Sequence, residues 1–182
     1  ASAGTVYKET STDTPGKGEL IIDNDGLATG YTITTDLNGQ QSVTHEFARL
    51  TLGDAGVLGI GSDDTLILTN TVITAVGTAG ETGVTPTGNG GAYTINDENG
   101  IRVYGGTLLI PDPFVFSNYF ISIADTNSTF DAPSGLTVGQ HGKLEINSTH
   151  TLSGDVTLQT NSSLTHYRNT EDPVYLMDVT VS

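Results

Sequence analysis

Residues 50–66, LTLGDAGVLGIGSDDTL, return 86 positions later as residues 136–152, LTVGQHGKLEINSTHTL, with nine of the seventeen positions identical. Within the copies apolar residues come in pairs two apart: Leu50/Leu52, Leu58/Ile60 and Leu66/Leu68 in the first, Leu136/Val138 and Leu144/Ile146 before Leu152 in the second. A two-residue period puts each pair on one face of a short strand, and the tetrads GDAG, GSDD and GQHG between them have turn composition. A single rung of this kind cannot bury its own apolar face and has to stack on the next. The pattern predicts an all-β chain, a β-solenoid of the right-handed parallel β-helix type with an internal repeat. Turn-linked strands at this spacing also describe a β-sandwich or jelly roll, which stands as the alternative, although sandwich strands are usually longer than these pairs.

Outward from the first copy, strand signals continue at residues 20–22 (LII), 31–35 (YTITT), 43–47 (VTHEF) and 71–76 (TVITAV). The Gly-rich residues 77–91, GTAGETGVTPTGNGG, predict a long loop of the kind that serves a function. Beyond it, AYTI (92–95) precedes Ile101/Val103 and Leu108/Ile110, which form a degenerate third copy. The stretch 111–123, PDPFVFSNYFISI, holds Phe114, Phe116, Tyr119 and Phe120, and its alternation points Phe114 and Phe116 into the core. The chain then runs through DVTL (155–158) and SLTHY (163–167) to a final predicted strand at 174–182. Nowhere do apolar residues recur at helical spacing over two turns. Residues 1–18 are a polar N-terminal tail in which Thr5-Val6-Tyr7-Lys8 has the composition of an added strand, and 19–182 are a single all-β domain.

A length of 182 residues suits one domain. With 35% apolar and 15% charged residues, and 23 glycines, the composition is β-forming, turn-rich and uncharged-polar. Six Lys and Arg against 21 Asp and Glu leave a net charge of −15, a field that repels phosphate backbones and anionic headgroups and so argues against nucleic-acid partners. No apolar run approaches the roughly 18 residues of a membrane span, so membrane insertion is not expected. The absence of cysteine removes thiolate catalysis, Cys-type zinc sites and disulfides together. The small-residue start Ala1-Ser2-Ala3 matches what remains after signal-peptide cleavage, and predicts a mature secreted or cell-surface chain.

The run GLTVGQHGKLEINSTHTLSGDVTLQTNSSLTH, residues 135–166, resembles the rungs of secreted right-handed β-helix proteins such as autotransporter passengers and filamentous-haemagglutinin-like adhesins. That resemblance implies a surface adhesin, a rigid spacer or, less often, a polysaccharide-cleaving enzyme. No catalytic motif of the group carries over onto residues of this chain.

Oxygen ligands gather in turns at Asp23-Asn24-Asp25-Gly26, Asp63-Asp64 and Asn96-Asp97-Glu98-Asn99-Gly100, which makes Asp23, Asp25, Asp97 and Asn99 the candidate ligands of a Ca²⁺ ion. His45, His141, His150 and His166 have neither HxH nor HExxH spacing, so solvated turn positions are expected for His141 and His150. Sequons at Asn127, Asn147 and Asn161 are candidate glycosylation sites. Six scattered cations make no basic cluster for neutralising a uronate, and an enzyme is not expected. The sequence points to a non-catalytic structural subunit of an extracellular filament, sheath or layer, a homopolymer of the chain joined through strand edges with Val6 and Tyr7 as anchors. An adhesin or glycan-binding module, using residues 77–91 and the aromatic stretch, is the alternative, and a carbohydrate-active enzyme comes third.

Overall fold

Alternating apolar residues form strands wherever the turn tetrads leave room for them. The computed structural model describes residues 4–24, 35–37, 43–62, 64–76 and 99–166. The expectations for residues 77–91, 92–95 and 174–182, together with Asp25 and Asp97, lie outside that set. Among the described residues the chain is all-β, with no helix and four sheets.

One sheet has the order β1 (Gly4–Lys8), β2 (Glu19–Asp23), β5 (Arg49–Gly53), β8 (Val72–Val76). A second, of six strands, runs β16 (Ser163–Thr165), β14 (Lys143–Ile146), β12 (Phe120–Ile123), β9 (Gly100–Tyr104), β6 (Val57–Gly61), β3 (Thr35–Asp36). Two three-stranded sheets, β10 (Thr107–Leu109), β7 (Thr65–Ile67), β4 (Thr44–Glu46) and β11 (Phe114–Phe116), β13 (Leu136–Val138), β15 (Val156–Leu158), complete the set. The antiparallel β1–β2 pair apart, the pairings between these strands are parallel.

Because the pairing is parallel and in register, like residues stack on like. Leu58, Ile101, Ile121, Leu144 and Leu164 form one row across the six-stranded sheet, with Ile60, Val103, Ile123 and Ile146 two residues along. Phe114, Leu136 and Val156 make a row in the β11–β13–β15 sheet, beside Phe116, Val138 and Leu158. Leu20 and Leu50 stack in the first sheet. Leu158, at 48% exposure, apart, these rows merge into one apolar core that includes Leu66, Leu108 and Phe130. The inward reading of Phe114 and Phe116 holds: both are buried and stacked 5.8 Å apart, with Tyr119 packed on Phe116 at 5.3 Å.

The repeat copies do place their middle pairs alike, since Leu58/Ile60 and Leu144/Ile146 lie in the same sheet. Leu58, Ile60 and Leu144 are fully buried; Ile146, expected to be so, is half-buried because β14 pairs with β16 only through Glu145. The tetrads close as turns in both copies. The Gly56 N–H donates to the Gly53 carbonyl at 2.7 Å, and that of Gly142 to the Gly139 carbonyl at 2.9 Å. Asp54 and Ala55 in the first turn and His141 in the second take left-handed φ values of 44°, 66° and 56°. Glycine is required at Gly56, where a Cβ would stand 2.3 Å from the Ile22 carbonyl oxygen.

The N-terminal segment corrects one expectation. Read as a tail free to join another subunit, it is paired within its own chain, Val6 opposite Ile21 and Tyr7 opposite Leu20. Polar ties hold it: the Arg49 guanidinium donates from Nη1 and Nη2 to the two oxygens of Asp13, at 2.9 Å each, and Lys17 pairs with Glu46.

Candidate functional site

β1 lies at the edge of its sheet, and its five residues are exposed, Val6 at 51% and Tyr7 at 45%. One side of the strand is bonded to β2; among the described residues no strand covers the other. Tyr7 is fixed from behind. Its hydroxyl donates to Glu9 Oε2 at 2.6 Å and accepts the Gly18 N–H at 2.8 Å, while its ring packs on Phe47 at 6.3 Å. The bond to Glu9 raises the phenol above its ordinary pKa. The connection behind the strand is equally fixed, because Asp13 also accepts the N–H and hydroxyl of Thr10, at 2.8 and 2.9 Å. The Arg49 guanidinium holds the Asp13 carboxyl well below the usual carboxylate range. The result is a braced edge strand whose outer backbone groups suit β-addition.

Of the expected cation ligands, Asp23 and Asn99 lie among the described residues. Asp23 sits exposed at the end of β2, opposite Gly53. Asn99 is buried, and its Oδ1 accepts the Gly56 N–H at 3.0 Å, so it closes the first repeat turn from the neighbouring strand connection. Among the described residues no three His, Asp or Glu side chains converge on a common point.

The sequons fall in different settings. Asn127 and Asn161 are exposed, whereas the Asn147 amide donates to Glu145 Oε1 at 2.7 Å and to Ser122 Oγ at 3.3 Å. His141 is the exposed turn residue expected of it; His150 is half-buried, with Nε2 2.6 Å from the Phe130 carbonyl oxygen. Phe114, Phe116, Tyr119 and Phe120 are all buried, so these rings do not form the glycan-stacking surface that the adhesin alternative required.

Sequence reasoning missed a buried polar patch on the face of the six-stranded sheet opposite the core. Arg102, Ser122 and Glu145 stand in one cross-strand row, and Ser122 and Glu145 are almost wholly buried. Ser122 donates to Glu145 Oε1 at 2.9 Å, while Oε2 is buried without a hydrogen-bond partner. In the adjacent row Lys143 lies over the Phe120 ring, 5.3 Å from its centroid. Gly100 makes room for that ring, since a Cβ there would stand 2.3 Å from Phe120 Cε1. Alternating polar residues on a strand ordinarily mean a solvated face, and nothing in the local pattern marks this one as enclosed.

No helix among the described residues is long and apolar enough to cross a membrane. Comparison of the chain with protein-family models, with curated proteins and with solved structures gives no match.

Proposed function

We propose that the chain is a right-handed parallel β-solenoid, of the kind that secreted β-helix surface proteins resemble, serving as a non-catalytic structural subunit of an extracellular assembly. Supporting the solenoid is the register: β6, β9, β12 and β14 stack parallel while the intervening chain visits the other sheets. The crossover rule for parallel strands makes the winding right-handed. Partners are further copies of the chain, joined through strand edges.

The observation that carries the assembly reading is β1, an exposed edge strand in which Val6 and Tyr7 are both about half exposed, with a bracing network behind it. An edge of this kind is ordinarily blunted or covered, and a second copy covers it without new folding.

The test is solution assembly of the purified chain, followed by light scattering and negative-stain imaging. Regular polymers are expected from the wild type. Val6→Asp, which puts a carboxylate on the outer edge strand, is expected to leave a folded monomer. A wild type that stays monomeric at high concentration refutes the reading, as does a Val6→Asp variant that polymerises normally.

A further inference from the structure

We propose that copies of the chain join head to tail, the outer edge of β1 in one copy pairing antiparallel with the outer edge of β15 in the next. This contact presupposes the solenoid and its self-assembly, and it supplies the second surface that β1 meets.

The two edges belong to equivalent faces. β5 leads into β6 through the GDAG turn and β13 leads into β14 through GQHG, so the sheet of β2, β5 and β8 and the sheet of β11, β13 and β15 take the same place in the winding. Strands in both sheets follow chain order, as β6, β9, β12, β14 and β16 do beside them. β1 stands before β2 at one end of that order and β15 at the other, so their outer edges point in opposite directions along the stack. Among the described residues no strand pairs with the outer edge of either. Two β1 edges joined to each other would make a closed dimer; β1 on β15 repeats without closing.

The side chains fit one register. Thr5 and Tyr7 lie opposite Ile22 and Leu20 and share the core side of the sheet, which leaves Val6 and Lys8 on its outer side. Val156 and Leu158 continue the apolar rows of β13, which leaves Asp155 and Thr157 on the outer side at the other end. Setting Tyr7 against Val156 and Thr5 against Leu158 keeps core side with core side, and it places Val6 opposite Thr157 and Lys8 opposite Asp155. A shift of two residues either way keeps the sides and loses the charge pair, because Lys8 then faces Thr157 or Ser153. Lys8 and Asp155 are both exposed, and neither is in an ion pair among the described residues. Leu158, exposed where its row mates Val138 and Phe116 are buried, is the apolar surface that the incoming strand covers.

The chain has no cysteine, so introduced thiols report this contact alone. Val6→Cys and Thr157→Cys chains, told apart by a mass tag, are mixed under assembly conditions and treated with a short bis-maleimide. We expect mixed dimers of the two variants, and a ladder of multimers from a chain carrying both substitutions. Lys8→Asp should raise the concentration at which polymers form severalfold, and adding Asp155→Lys to the same chain should restore it. If the wild type polymerises but Val6→Cys links only to itself, or does not link to Thr157→Cys, the head-to-tail contact is overturned and the assembly reading stands. A charge exchange that restores nothing, or a Lys8→Asp chain that assembles as the wild type does, overturns the register and the contact with it. A wild type that stays monomeric refutes self-assembly itself.

Discussion

Removing the side chain of Leu144 tests the stacked core more directly than any other single change. Leu144 is fully buried, with Ile121 against it on one side and Leu164 on the other. Both neighbours hang from strands held at the ladder spacing of about 4.7–4.9 Å, so they cannot close over a void. Leu→Ala in buried sites costs about 2–5 kcal/mol, rising with the cavity that persists, and the rigid ladder puts Leu144→Ala at roughly 4 kcal/mol. For a chain of 182 residues each kcal/mol moves Tm by roughly 2–4 °C, giving a fall of roughly 8–16 °C. Leu164, half-buried on the last strand of the sheet, should lose roughly half as much on the same substitution. Val115, 61% exposed, should barely respond to Val115→Ala. Thermal and urea unfolding followed by circular dichroism measures all three. Equal stability of Leu144→Ala and Val115→Ala, or a larger loss at Leu164 than at Leu144, refutes the stacked-row account.

Further outcomes follow from named contacts. Asp13 has a depressed carboxyl pKa in the folded chain, so the stability it contributes is fully present above the ordinary carboxylate value of about 4 and is lost as pH falls through its own lower value. Asp13→Asn should therefore lower Tm at neutral pH and flatten its decline below about pH 4; an unchanged acid profile would show that the Arg49 clamp has no energetic role. Gly56→Ala forces a Cβ to 2.3 Å from the Ile22 carbonyl oxygen and should cost roughly 1–3 kcal/mol, whereas alanine at exposed Val115 should have a far smaller effect; chemical denaturation distinguishes them. Expressed in a host that N-glycosylates, the chain should carry sugar on exposed Asn127 and not on Asn147, whose amide is bonded to Glu145 and Ser122; glycopeptide mass spectrometry decides, and full occupancy of Asn147 contradicts the assignment.

What the sequence made legible is what a local period can encode. Leu58/Ile60 and Leu144/Ile146 announce strands with one buried face because the spacing of two is a property of the strand itself. The GDAG and GQHG tetrads announce turns because glycine and left-handed residues are needed there, as the φ values of Ala55 and His141 bear out. The middle pairs of the two copies were readable as equivalent strands for the same reason, and they lie in one sheet with β9 and β12 between them. β1 was read correctly as a strand by composition, but its pairing with β2 depends on Asp13, Arg49, Lys17 and Glu46 meeting across the chain, and no local rule joins those four residues.

Contacts between polar side chains were illegible because parallel register, and not nearness in sequence, brings them together. Ser122 meets Glu145 because the β12–β14 register sets them opposite each other, and Tyr104 reaches Asp36 only across the glycines of β6. The same offset fixes the core. A single residue inserted between β12 and β14, with pairing retained at the old positions, would turn Leu144 outward and drive Lys143 against Ile121 and Glu145 against Ile123. The chain would escape by bulging the insertion into the intervening turn, and both the apolar row and the polar patch would survive together. Connection lengths between strands are therefore free to vary while register is not, and between the two copies the turn tetrads change at Asp54/Gln140 and Ala55/His141 while the positions they align stay apolar: Leu50/Leu136, Leu52/Val138, Leu58/Leu144 and Ile60/Ile146.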